Sequence, residues 1–220
     1  GSIKLLNLQK KKLNYNNKIK KIDDDFKITK LNQSALPVYN VDYKQKKSFE
    51  KISTKSNKYI FKCFNMAIKL IKSKKILGFI NCPVVKETLF KKKHQGITEF
   101  LSKKYKTKNN EVMLIFNKNL SVSPLTTHIS LNQVAKKISK IKIIKKVRVI
   151  NAFYKKTLKK KPKIAILGLN PHNFSAAKIK EENKIIIPAI RILKKNKIKV
   201  VGPISPDTSF MLFKKYKFDV

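Results

Sequence analysis

At 220 residues the chain is long enough to bury a sizeable core in one large or two small domains, and it needs no staple to fold. Its formal charge of +41 rests almost wholly on lysine, since Arg148 and Arg191 are the only arginines among 53 basic residues. Lysine spread along every segment argues against a specific nucleic-acid reader, which favours arginine's bidentate fork and interleaved aromatics, and no apolar run approaches the roughly 20 residues that cross a bilayer.

The opening GSIKLLNLQKKK lacks the apolar core of a secretory signal, so a soluble, cytoplasmic protein with no membrane partner is expected. Residues 1–55 show little helical period and read as loops and short extended pieces, among them Phe26 to Ile28 and Ala35 to Tyr39. From Ser56 the pattern changes: Ile60, Cys63, Phe64, Ala67, Ile68 and Ile71 recur at helical spacing and predict an amphipathic helix ending in the basic run 72–75. ILGFINC (76–82) then reads as a strand buried on both faces, stopped by Pro83.

Beyond it the spacing predicts a helix over 84–91, a loop through His94 and Gly96, and a helix near 98–105. Strands are expected near 111–117 and 121–126, then helices over 131–140 and 142–160. A strand at 163–168, a helix at 181–196, a strand at 198–201 and the beginning of a strand at Phe218 complete the pattern. Strands alternating with helices of this length mean an α/β fold with a largely parallel sheet. Cys63 and Cys82 have neither metal spacing nor a paired framework; they suit a reducing compartment and read as small buried apolar residues.

In open α/β sheets, ligands gather beyond the carboxyl ends of strands. Two of the three histidines fall there. SPLTTHISL sets His128 between a strand and a helix, and GLNPHNF sets His172 in the loop after strand 163–168. Imidazoles at two strand ends can share a divalent metal that polarises a substrate oxygen. Two loop histidines bonded locally fit the same spacing, and both readings stand at this point. No G-x-G-x-x-G opens a helix and no Walker-type phosphate loop is present.

Six ordered motifs go further. GFINCPVVKETL (78–89), GITEF (96–100), TTHISL (126–131), GLNPH (168–172), EENKIIIPAI (181–190) and VVGPISPDTSF (200–210) together resemble the 4-hydroxythreonine-4-phosphate dehydrogenase family of pyridoxal phosphate biosynthesis. The resemblance implies an isocitrate/isopropylmalate dehydrogenase-like fold, two α/β/α lobes around a cleft, here partial lobes 1–118 and 119–220. It also implies a homodimer and NAD-dependent, metal-assisted oxidation and decarboxylation of 4-phosphooxy-L-threonine to 3-amino-2-oxopropyl phosphate. Carried over by motif, His128 and His172 match two of three histidines binding a divalent metal (Zn, Mg or Co). Asp207 matches an acidic residue that helps deprotonate the alcohol, Lys86 a lysine facing the substrate's anionic groups, and Thr98 a substrate-contacting threonine. Glu181 and Glu182 read more simply as residues of a helix first turn, where a carboxylate complements the dipole.

Departures from the family pattern carry expectations of their own. Ile97 stands where the family has a substrate-binding histidine, and Asn173 to Ala177 replace a glycine-rich acidic stretch. The N-terminal glycine-rich motif, the motif of the third metal histidine and much of the NAD site are expected to lie outside the 220 residues. Two alternatives follow: a paralogue acting on another phosphorylated hydroxy acid, which Ile97 favours, and a basic nucleic-acid-binding protein on an inactive scaffold.

Overall fold

Helix formation begins at the second residue, inside the segment that reads as loops. Ser2 caps helix α1 (Ile3–Lys12), its hydroxyl accepting from the Leu5 amide at 3.3 Å. The computed structural model describes residues 1–27, 34–91, 96–105, 107, 110–173 and 181–220. His94, Ile28 and Phe174 to Ala177 lie outside the described residues. The chain divides into two compact units, Gly1–Phe100 and Leu101–Val220.

In the first unit, strands β1 (Lys18–Ile22) and β2 (Ala35–Tyr39) pair in parallel, so the extended piece at 35–39 is a strand. The N-terminus is tied to the end of β2. The Gly1 ammonium donates to the Tyr39 carbonyl at 3.0 Å, and the Val41 amide to the Gly1 carbonyl at 2.9 Å. Helix α2 (Asn57–Lys72) forms where the period requires it and buries Phe64, Ile68 and Leu70. Helices α3 (Lys86–Phe90) and α4 (Ile97–Tyr105) follow, with Leu89, Phe90 and Phe100 buried. Phe61, Phe64, Phe90 and Phe100 form a cluster of tilted rings whose neighbouring centroids lie 5.4–6.3 Å apart, the spacing aromatic quadrupoles favour.

ILGFINC is not a strand. A strand needs a hydrogen-bonded neighbour, and among the described residues none pairs with this segment. It is anchored instead by Phe79, whose ring meets Phe64 edge-on at 6.2 Å, while Leu77 and Ile80 stand fully in solvent. Cys82 is exposed and Cys63 only partly buried, which corrects the reading of both as core residues. Ile80→Lys is therefore expected to leave stability within about 0.5 kcal/mol of the parent in urea denaturation. A loss of 2 kcal/mol or more would mean that this run is buried after all.

In the second unit, the expected strands at 111–117 and 121–126 reduce to one antiparallel bridge, Ile115 to Val122. Two residues in register are too few to propagate a ladder. The expected helix at 131–140 is likewise shorter, a 3₁₀ turn at Leu131–Gln133 running into α5 (Val134–Lys137). Helix α6 (Lys140–Thr157) opens on Ser139, which accepts from the Lys142 amide, and buries Ile143, Val147, Ile150 and Tyr154 at intervals of three and four. That face meets Ile164 of β3 (Ile164–Leu167), Ala189, Ile190 and Leu193 of α7 (Ile187–Lys195), and Val200 of β4 (Val200–Ile204). Each aliphatic side chain fully buried here contributes about 1.5–3 kcal/mol.

Residues 182–186 form a π-helical turn before α7, so the expected single helix at 181–196 has two parts. Pro188, which has no amide hydrogen to continue a regular ladder, sits just past that turn. Strands β3 and β4 are parallel, and β4 holds one extra residue between the pairs Ala165–Val201 and Leu167–Ile204. On the other side of β3, the Ala165 amide donates to the Val220 carbonyl at 2.7 Å and the Asp219 amide to the Lys163 carbonyl at 2.9 Å. The chain near Phe218 thus lies along β3 without forming a regular strand. Helix α8 (Ser209–Tyr216) fills a stretch that the periodicity left unassigned. No helix among the described residues is long and apolar enough to cross a membrane.

Candidate functional site

The bulge in β4 decides what stands at the carboxyl ends of β3 and β4. The Gly168 amide donates to the Ile204 carbonyl at 2.9 Å, which closes the two strands. The loops beyond them face each other. His172, in a 3₁₀ turn at Pro171–Asn173, has φ 54°, and its Nδ1 lies 3.0 Å from Asp207 Oδ2. The other Asp207 oxygen accepts from the Ser205 hydroxyl at 2.7 Å. Ser205 therefore orients Asp207, and Asp207 orients the imidazole. The Ser205 hydrogen bond is the main cause holding the Asp207 carboxyl below its usual range, with slight burial opposing and His172 assisting.

Asn173 makes a second tie between the loops, its amide donating to the Pro203 carbonyl at 3.1 Å. Its own φ is 56°, a left-handed conformation that asparagine tolerates better than most residues. The Asn173 Oδ1 is buried with no partner among the described residues. It occupies the space beside Gly168, where an added Cβ would come within 2.0 Å of it, so Gly168 is required for this close approach.

Glu182 supports the same loop from beneath. It is 3% exposed, and its Oε1 accepts from the Leu169 amide at 2.8 Å and the Asn170 amide at 3.0 Å. The Asn170 side-chain amide lies 3.2 Å from Oε2. Burial alone pushes this carboxyl up, but the Asn170 amide, its own backbone N–H, the Asn170 side chain and the Leu169 amide together hold it below the ordinary value. The first-turn reading explains the residue's place in sequence yet misses its work, which is to satisfy donors of a different segment. A paired glutamate about ten residues past a strand-end Asn-Pro turn is the signal that was available.

His128 is exposed, with φ 56°, in the loop before the 3₁₀ turn at Leu131–Gln133. Because 121–126 forms only a bridge, His128 does not follow a regular strand. In the first unit, Lys86 is the first residue of α3 and Thr98 the second of α4, both exposed. The Lys86 ammonium lies beside Gly96: a Cβ built there would be 3.9 Å from it and 3.0 Å from the Glu99 carboxylate. Lys86 and the Gly-Ile-Thr-Glu turn are thus neighbours.

The donor chemistry around His172 fits a metal-ligating imidazole, because Asp207 engages Nδ1 and leaves Nε2 directed away from that bond on a side chain 79% exposed. Among the described residues no group of three or more His, Cys, Asp or Glu is arranged to hold an ion, so the donor set is partial. The second unit also contains an apolar cavity of about 410 Å³ lined by residues including Val122, Leu125, Val147, Ile166, Phe210 and Phe213. Lys146 borders it, and burial lowers its ammonium's pKa.

Both site carboxyls have folded-state pKa values below their unfolded ones, so their stabilisation is complete above about pH 4 and is lost as pH falls through the folded values. Thermal melts are expected to change little between pH 7 and about 5 and to fall below about 4. Asp207→Asn should flatten part of that fall; an identical acid profile in the variant would show that the Ser205 and His172 contacts are not made in solution.

The family model described as "Pyridoxal phosphate biosynthetic protein PdxA" matches residues 1–220. A 4-hydroxythreonine-4-phosphate dehydrogenase of Sulfurihydrogenibium sp. is 34% identical over 220 residues, covering 98% of this chain and 67% of that protein. A D-threonate 4-phosphate dehydrogenase of Pectobacterium atrosepticum is 26% identical over 163 residues, 73% of this chain and 50% of that one. The crystal structure of a 4-hydroxythreonine-4-phosphate dehydrogenase from Burkholderia phymatum superposes with a TM-score of 0.81 at 26% identity, covering all of this chain and 67% of that one. The chain thus spans about two thirds or less of these relatives' length. With a mixed α/β fold, and with the motif histidine and aspartate in contact at paired strand ends, this chain belongs to the PdxA family, an oxidoreductase family that includes the 4-hydroxythreonine-4-phosphate dehydrogenases.

Proposed function

We propose that the chain contributes to the active site of an NAD-dependent dehydrogenase that oxidises 4-phosphooxy-L-threonine and releases carbon dioxide to give 3-amino-2-oxopropyl phosphate, a step of pyridoxal phosphate biosynthesis. The observation that carries this reading is the His172–Asp207–Ser205 arrangement at the ends of β3 and β4. In it, Asp207 holds the imidazole by Nδ1 and its carboxylate stays ionised, able to take the proton of the substrate's secondary alcohol as hydride leaves for NAD. A divalent cation (Zn, Mg or Co) held by His172 and His128 would lower the cost of negative charge on the substrate oxygen, in oxidation and again in decarboxylation. Lys86 meets the substrate's anionic groups and Thr98 hydrogen-bonds to it. No residue is assigned to NAD. The reading extends to an isocitrate/isopropylmalate dehydrogenase-like pair of lobes, a homodimer and a cytoplasmic setting, without specific nucleic-acid partners.

Ile97 supports a second reading, in which the substrate is a phosphorylated hydroxy acid without the amino group. It adds an apolar side chain to the first turn of α4, beside Thr98, where the family motif has a histidine. The test is a zinc titration of the parent and His172→Ala by calorimetry, with binding of 4-phosphooxy-L-threonine and of D-threonate 4-phosphate to the parent compared in the same way. The variant is expected to bind zinc more than about 10-fold more weakly, and the parent to prefer the first substrate. Equal zinc affinity would remove the metal assignment; binding of D-threonate 4-phosphate alone would favour the second reading.

A further inference from the structure

We propose that Glu182 is a positioning residue for His172, acting through Asn170; the proposal rests on the metal-ligating reading of His172. Among the described residues Glu182 is the only Asp, Glu, Lys, Arg or His whose side chain is buried. A carboxylate is a costly way to fill a core position unless several donors converge on it. Here they do. The backbone amides of Leu169 and Asn170 and the Asn170 side chain all point to it, and Gly168 packs so closely that a Cβ would lie 3.2 Å from Oε1.

Asn170 links Glu182 to His172, because its carbonyl accepts the Asn173 backbone N–H at 3.0 Å and so closes the turn that carries His172. Held at one end by Glu182, this turn is held at the other by Asn173 on the Pro203 carbonyl. Between these two anchors His172 is kept in a left-handed conformation that a free loop would leave, and its Nδ1 is kept 3.0 Å from Asp207. The buried charge is thus spent on the direction of one imidazole, although Glu182 touches neither that ring nor, on this reading, the metal.

The test uses Glu182→Ala, Glu182→Gln, Asn170→Ala and His172→Ala in the 220-residue chain. Cobalt(II) affinity is read by calorimetry and the His172 ring by nitrogen-15 NMR without metal, beside far-ultraviolet circular dichroism to confirm folding. Cobalt affinity is expected to fall about 10-fold or more in Glu182→Ala, and less in Glu182→Gln, which keeps one carbonyl acceptor for the Leu169 and Asn170 amides. The His172 ring signals should move in both, away from those of an imidazole paired through Nδ1. If Glu182→Ala does not fold, Glu182→Gln and Asn170→Ala carry the comparison. Folded variants with parental His172 signals would overturn the proposal and leave Glu182 a purely structural residue. Parental cobalt affinity in His172→Ala would instead overturn the metal reading, and the ring signals would still judge Glu182.

Discussion

Gly202→Ala is expected to destabilise the second unit by about 3 kcal/mol and to weaken metal binding with it. Gly202 has φ 141°, a conformation that L side chains rarely adopt, and a Cβ there would fall 2.3 Å from the Ile166 carbonyl oxygen. The obstacle is main chain of β3, which cannot retreat without breaking the pairing to β4. Separation of the strands at this point undoes the bulged register that brings Asp207 to His172. Chemical denaturation measures the first effect and zinc calorimetry the second. A parental denaturation midpoint would mean that β4 rearranges at little cost, and the register could then not be what sets the site.

Leu193→Ala is expected to cost about 2–5 kcal/mol, because Leu193 is 0% exposed at the centre of the cluster joining α6, β3, α7 and β4. The spread reflects how far Ile150, Ile190 and their neighbours can close around the lost volume. Urea denaturation reads the loss, and Leu193→Met, nearly equal in volume, should recover most of it, to within about 1.5 kcal/mol of the parent. A loss under 1 kcal/mol in the alanine variant would place Leu193 outside the tightly packed core. The acid profile of Asp207→Asn gives an independent measure, since it reports on the site rather than on packing.

Helices α2 and α6 were legible because their apolar residues repeat every three or four positions, and each repeat is one buried face. Helix α1 was not: Ile3, Leu5, Leu6 and Leu8 do not keep one face, and no residue of α1 is fully buried. ILGFINC failed for the opposite reason. Its composition is that of a buried strand, but a strand exists only through a partner's hydrogen bonds, and composition does not name the partner. At the site, the motif pattern pointed to His172 and Asp207, whereas Asn170 and Asn173 have ordinary loop chemistry and gain a role only from Glu182 and Pro203 across the fold, and Ser205 gains one from Asp207, two residues on, because that carboxylate meets His172.

The amino-acid sequence by itself determined the α/β alternation from α6 to β4, the positions of the strongly periodic helices and, through six ordered motifs, the family. These depend on side-chain type and local spacing. Tertiary structure alone decided that β4 carries an extra residue, that His172 Nδ1 meets Asp207 rather than solvent, and that Glu182 holds the loop after β3. Each of those is a contact between segments 12 or more residues apart. Their geometry follows from how the strands register and which donors are left unsatisfied once the core has packed, and neither quantity is a property of any one stretch of chain.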